Sequence, residues 1–399
     1  MIKSYKNQAV TSYSKEAQLF GKDCAKHVIK YHQSFPNYQK TPLKKLTHLA
    51  TFLGVSKIYV KDESKRFGLN AFKGLGGSYC IGKYLGEVCH IPAHQLSYMT
   101  LKQDNIKEHV KNLTFVTATD GNHGRGIAWS VQQFGLQAVV YMPKGSSQER
   151  LEHIRQLGAQ AKITDGNYDE TVELAAKCEK TKGWVLVQDT SWQGYEKIPT
   201  WIMQGYTTMA LEAVKQMKDI PTHIFLQAGV GAMSGALSAF FADYYKEKKP
   251  KIIVVEPHKA NCIYRTAKAH DGTLHLVKGE MPTIMAGLAC GKPCTIGWEM
   301  LQRYVDFFIS IPDNISAKGM RVLGNPLMGD EAIISGESGA ATMGLVVEMF
   351  MKKELKGLKK EIGLNAHSKI LCFSTEGDTD QKNYRKIVWD GAYPSIEDD

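Results

Sequence analysis

Hydrophobic positions along the chain follow two alternating periodicities from residue 113 onward. Apolar runs of strand length are each followed by a stretch in which apolar residues recur every three or four positions. LTFVTAT reads as a strand, DGNHGRG as a turn, and GIAWSVQQFG as a helix ended by Gly135. AVVYMP, AKIT and VLVQD are further strands, separated by the helical stretches SSQERLEHIRQLG and YDETVELAAKCEKTKG. Next come a helix over about 198–218, the strand HIFLQ, the loop AGVGAM, a helix to about 247 and the strand IIVVEP. Residues 257–295 read mostly as loop. A helix at 296–304, the strand DFFISIP, helices at 314–323 and over ESGAATMGLVVEMFMKK, and the strand ILCFST at 370–375 follow.

The amino-terminal part is less regular. Residues 1–40 read as surface helix and connection, 43–54 as one helix, SKIYVK as a strand, and 91–111 as an irregular polar insertion. A helix rich in small residues runs from Lys73 to about residue 88. Strands alternating with helices imply βαβ units and parallel sheets. The expected fold class is α/β: two open twisted sheet domains with flanking helices and a cleft between them.

Composition narrows the possibilities. The chain has 399 residues, 43% hydrophobic and 23% charged, enough for a full core. It contains no apolar run long enough to span a bilayer, and MIKSYKNQAVTSYSKE lacks the apolar core of a secretion signal. A cytoplasmic protein without a membrane partner is expected. The formal charge of +10 is scattered, and the basic cluster KKELKGLKKE mixes both signs, so no nucleic-acid partner is expected. The cysteines are expected as thiols, with pairing or redox sensing open for Cys262 and Cys290. Cys290 and Cys294 lack the partners of a tetrahedral site, so no metal is expected.

Four stretches carry candidate chemistry. In VKDESKRFGLNAFKGLGGSY, Lys73 stands at a loop-to-helix junction beside glycines, where a lysine can act as a Schiff-base nucleophile. In AGVGAMSG, residues Gly229, Val230, Gly231, Ala232 and Met233 join a strand to a helix, so backbone N–H groups are placed to bind phosphate. That loop suits a dinucleotide equally well, with Gly235 near the third glycine of the fingerprint and Glu256 ending the next strand. In TATDGNHGRG, Asp120 is a candidate base and Asn122 a hydrogen-bond donor. Either could instead cap the following helix, and His123 is read as structural. In CFSTEGDTD, a strand ends in the hydroxyls of Ser374 and Thr375, one of which can meet a heteroaromatic nitrogen. Lysine, amide, phosphate loop and hydroxyl together describe a site for pyridoxal phosphate.

These residues resemble the β-family, or fold type II, of pyridoxal-phosphate enzymes, the tryptophan synthase β-like group that includes threonine and serine dehydratases. Thr41–Leu43, AFK at 71–73, GNHG at 121–124, AGVGAM at 228–233 and ESGA at 337–340 occur in the family's order. The resemblance implies that Lys73 carries the cofactor and that Asn122 contacts its ring oxygen. It implies that Gly229–Met233 hold its phosphate and that Ser374 or Thr375 meets its ring nitrogen. It also implies α,β-elimination on a small amino acid, a homodimer, a large cofactor-binding domain (1–80 and 190–399) and a small mobile domain (81–189). Asp120 replaces the serine or threonine of the dehydratases. A carboxylate there suits a cationic β-substituent that leaves as ammonia, and it can act as a base opposite Lys73. Asp189 is a second candidate for binding that cation. A serine or threonine dehydratase, an NAD-dependent dehydrogenase and a non-catalytic amino-acid-binding protein are the rival readings.

Overall fold

The computed structural model describes residues 2–119 and 121–395. Within them, eleven strands build two sheets: β1 (Lys3–Lys6), β2 (Leu43–Lys45), β3 (Lys57–Asp62), β4 (Thr114–Ala118), β5 (Gln137–Met142), β6 (Gln160–Ile163), β7 (Val185–Leu186), β8 (His223–Gln227), β9 (Lys251–Pro257), β10 (Phe307–Ile311) and β11 (Lys369–Ser374). The larger sheet has the order β1-β10-β9-β8-β11-β3-β2, and the smaller β6-β5-β4-β7. Every pairing is parallel except those of the edge strands β1 and β2. Strands β8 and β10 are buried throughout, and β9 and β11 are buried beyond their first residue. Helices cover both faces, which is why these strands read as continuous apolar runs.

The structure departs from the expectations where tertiary pairing decides. Residues 43–54 are not one helix. Leu43–Lys45 pairs antiparallel with β3, and the helix is confined to Thr47–Leu53. The polar KSYK run carries no strand signal and becomes β1 only because the edge of β10 is available to pair with it. Residues 91–111 include helices Tyr98–Leu101 and Asp104–Val110, which bury Leu101, Ile106 and Val110. The supposed loop after residue 257 contains helix Cys262–Ala269. Helix Asn122–Gln132 begins within what read as a turn. No described helix is long and apolar enough to cross a membrane.

Two features fix the ground beneath Lys73. Helix Asn122–Gln132 lies so close to the start of helix Gly74–Val88 that a Cβ on Gly126 would come within 2.8 Å of the Lys73 carbonyl carbon. The segment leading to Lys73 is tied down by a buried ionic cluster. The Arg66 guanidinium donates to both oxygens of Glu63 (2.9 Å each) and to both oxygens of Glu212 on helix Lys197–Gln216 (2.9 and 2.7 Å). Lys61 donates to Glu212 at 2.6 Å and to the Thr41 carbonyl at 2.7 Å. Lys61, Arg66, Glu63 and Glu212 are all fully buried, and two charges of each sign balance. Burial pushes the Glu212 carboxyl up, but Arg66 and Lys61 outweigh it and hold the group down at about 2.

Candidate active site

The carboxyl ends of β4, β8 and β11 open into one cleft, the strand-end position at which parallel sheets hold their ligands. Lys73 reaches it from the amino-terminal end of helix Gly74–Val88, placed by a hydrogen bond from the Phe72 N–H to the Thr375 carbonyl (3.0 Å). The rings of Phe72 and Tyr206 lie under its ammonium, 5.5 and 6.0 Å from their centroids. That ammonium donates to the Asp189 carboxylate, which comes from the segment following β7. Burial pushes the Asp189 carboxyl up, but His123 and the Lys73 cation outweigh it and hold the group at about 2. His123 donates through Nε2 to the Val187 carbonyl (2.9 Å), and its Nδ1 lies 3.6 Å from Asp189. Burial lowers the imidazole pKa below its ordinary value, and the neighbouring Asp189 carboxylate opposes that shift.

Asn122 opens helix Asn122–Gln132 at the cleft wall and donates from Nδ2 to Glu376. Gly229–Met233 line the opposite wall. Gly231 has φ = 90°, which aims the start of helix Ala232–Tyr245 into the cleft. The N–H groups of Ala232, Met233 and Ser234 fall in its first turn, where a helix has no acceptor of its own. A side chain at Gly229 would crowd the loop beside it, since a Cβ would sit 3.2 Å from both the Cys290 sulfur and the Gly287 carbonyl oxygen.

Thr375 is at the cleft wall and Ser374 is not. Ser374 turns to the other side, where its hydroxyl donates to Ser335 at 2.8 Å. Thr375 instead accepts from Gln227 Nε2 (2.8 Å), which also donates to the Phe373 carbonyl (3.0 Å). Asp120 lies outside the described residues. Glu256, the ribose acid of the dinucleotide alternative, is fully buried and accepts from the N–H groups of Ile263 (2.9 Å) and Tyr264 (2.6 Å). It caps helix Cys262–Ala269 from a fully buried position away from the cleft lining, so that alternative loses its anchor.

Four further residues line the cleft that sequence reasoning did not single out: Glu376, Gln227, Ser338 and Tyr168. Gln227 closes β8 immediately before the glycine loop, a strand-end position that could have drawn attention to it. Glu376 lay within a stretch whose Ser-Thr-Glu order is also ordinary helix-start chemistry. The buried Ser338 hydroxyl, His123 Nδ1 and Gln227 Oε1 have no hydrogen-bond partner among the described residues, although all three side chains border the cleft. Such groups are expected where a polar ligand completes the bonding.

The amine of Lys73, the open helix start beyond Gly231 and the flanking amide and hydroxyl suit a ligand that combines an aldehyde, a phosphate and a heteroaromatic ring. In agreement, the family described as pyridoxal-phosphate dependent enzymes matches residues 35–362, and the chain belongs to it. Within that family it is 52% identical to a diaminopropionate ammonia-lyase of Salmonella typhimurium over 91% of each chain. It is 50% identical to the enzyme of the same name from Escherichia coli over 94% of each chain. A crystal structure of the holo Escherichia coli enzyme superposes with a TM-score of 0.91 at 48% identity, covering 98% of both chains. Another, with the same TM-score, identity and coverage, is described as a complex with an aminoacrylate–pyridoxal-phosphate azomethine reaction intermediate.

Proposed function

We infer that this chain is a pyridoxal-phosphate-dependent carbon–nitrogen lyase that eliminates ammonia from 2,3-diaminopropionate. The β-amino group leaves as ammonia. The released enamine takes up water and yields pyruvate and a second ammonia. The observation that carries this reading is the pairing of Lys73 with Asp189 inside a cleft whose far wall is an open helix start. The family and the high identity to diaminopropionate ammonia-lyases support it.

When bound at Lys73, the cofactor supplies the electron sink that makes the Cα proton of an amino acid removable. The chain's own residues do the rest. Ala232 to Ser234 present N–H groups for the phosphate, Asn122 an amide for the ring oxygen, and Thr375 a hydroxyl for the ring nitrogen. Lys73, once displaced by substrate, is the base on one side. Asp120 is the base on the other and accepts the proton of the D-isomer, so both isomers are substrates. Asp189, held ionised by its neighbours, receives the cationic β-ammonium.

The unit spanning 81–189, which holds all four strands of the smaller sheet, closes over substrate and excludes water. Its boundary at residue 80 falls within helix Gly74–Val88, so the chain enters this unit through a continuous helix. The active form is a homodimer. The compartment is the cytoplasm, in keeping with the buried thiols of Cys80, Cys178 and Cys372.

The test is absorbance of the purified protein for lysine-bound cofactor, followed by pyruvate release from D- and L-diaminopropionate, serine and threonine. Faster turnover of the hydroxy amino acids would make the chain a dehydratase instead. Asp120→Asn should abolish turnover of the D-isomer while sparing part of the L-isomer rate. Wild-type turnover of the D-isomer in that variant would remove Asp120 from its role.

A further inference from the structure

Glu376, in the last of the four stretches, touches two of the others and the start of helix Glu337–Met351. Its backbone forms an antiparallel bridge with Ala71, two residues before Lys73. One carboxylate oxygen, Oε1, accepts from the Ser338 N–H at 3.0 Å, in the first turn of helix Glu337–Met351. The other, Oε2, accepts from Asn122 Nδ2. The side chain is 2% exposed. It fits only because residue 336 is glycine, where a Cβ would fall 3.0 Å from Glu376 Cγ and 3.2 Å from Cδ.

We propose that Glu376 is a positioning residue that dictates which end of the Asn122 amide faces the cleft. This rests on the reading that Asn122 contacts the cofactor's ring oxygen. The two ends of an asparagine amide have nearly the same shape, so its neighbours decide which way it lies. A carboxylate only accepts hydrogen bonds. Glu376 therefore draws Nδ2 to itself, and the second hydrogen of the same nitrogen is presented to the cleft. A cap for Ser338 alone would be served by an uncharged oxygen at lower desolvation cost. The charge is accounted for by the acceptor that Asn122 must see.

Glu376→Gln separates the two roles without changing shape. The Ser338 N–H still needs an oxygen, so the nitrogen of the introduced amide must face Asn122. Asn122 must then turn its own oxygen toward that nitrogen and withdraw the N–H from where it now points. A hydrogen bond to one protonation state of a group shifts that group's titration, so the cofactor chromophore at Lys73 reports the change.

The experiment is a pH titration of chromophore absorbance, with cofactor affinity, in four cofactor-loaded proteins: wild type, Asn122→Ala, Glu376→Gln and the double variant. We expect Asn122→Ala to move the midpoint by about one pH unit, Glu376→Gln to move it in the same direction, and the double variant to match Asn122→Ala alone. A wild-type midpoint in Glu376→Gln, or shifts that add in the double variant, would overturn the proposal while leaving the role of Asn122 intact. An unmoved midpoint in Asn122→Ala would overturn that role and the proposal with it. Glu376→Ala, which removes the acceptor outright, gives the same comparison should the glutamine variant not accumulate.

Discussion

The Lys73 ammonium and the Asp189 carboxylate form an ion pair that joins the two halves of the cleft. Lys73 comes from the helix start below β3, and Asp189 follows the last strand of the smaller sheet. Both are largely buried, at 20% and 10% side-chain exposure, so neither charge is well hydrated and each depends on the other. A substrate ammonium can take the place of the lysine once Lys73 has been used elsewhere. Asp189→Asn should therefore lower kcat/KM for diaminopropionate by about 100-fold, in the range of a lost charged contact, and lower serine turnover far less. Pyruvate release from the two substrates measures it. Equal losses on both would mean that Asp189 serves only to hold the lysine.

Thr375 and Ser374 are neighbours in sequence but lie on different sides of the cleft wall. Thr375→Ala should reduce kcat/KM by about 10- to 100-fold and change the cofactor spectrum, since the residue it alters lines the cleft. Ser374→Ala should leave kcat/KM within about twofold and lower stability by about 1 kcal/mol through the lost bond to Ser335. Steady-state kinetics and urea denaturation of the pair distinguish the two. The opposite result would exchange their roles.

Glu212 holds Arg66 and Lys61 in the fully buried cluster beneath the Lys73 segment. Glu212→Gln leaves two buried cations facing one carboxylate. Its expected cost is about 3–5 kcal/mol of stability, the usual penalty for breaking a buried pair from one side. Denaturant unfolding measures this, and a loss below about 1 kcal/mol would show that water enters the cluster.

Glu256 gives stability a direction with pH. Burial pushes its carboxyl from 4.5 up to about 8, against the two N–H groups it accepts from. The folded protein then holds a proton that the unfolded chain releases. Stability from this group is full below about 4.5 and declines as pH rises to about 8. Glu256→Gln should flatten that decline by no more than about 1.4 kcal/mol per pH unit. Asp189 works in the opposite sense at low pH, where its contribution is lost as pH falls from 3.8 toward about 2. Parallel stability–pH curves for wild type and Glu256→Gln would rule out the Glu256 effect.

How much of this was legible in the sequence depended on whether the signal was local. The parallel strands β8 to β11 announced themselves because both faces are buried and the apolar run is unbroken. Strands β1 and β2 did not: β1 is an edge strand whose partner lies far along the chain, and β2 is a short edge strand whose residues also fit the helical period that follows. Lys73, Asn122 and the Gly229–Met233 loop sit at strand-to-helix junctions that glycine marks in the chain. The hydroxyl facing the cleft could not be chosen, because β11 ends at Ser374 and alternation gives no rule past a strand end. Glu376 was hidden for another reason. Its partners Asn122 and Ser338 are 254 and 38 residues away, and no local pattern records them.

The Gln227 amide has a consequence for the chemistry of whatever occupies the cleft. Its nitrogen is fixed by the Phe373 carbonyl, which can only accept, so its other hydrogen fills a lone pair on Thr375. The threonine proton is thereby kept off the glutamine and left to donate elsewhere, the cleft included. A ring nitrogen that meets this proton has to bring an electron pair of its own. On the proposed role of Thr375, the site would therefore favour the basic, unprotonated form of its heterocycle, with a glutamine at the end of the neighbouring strand making the selection.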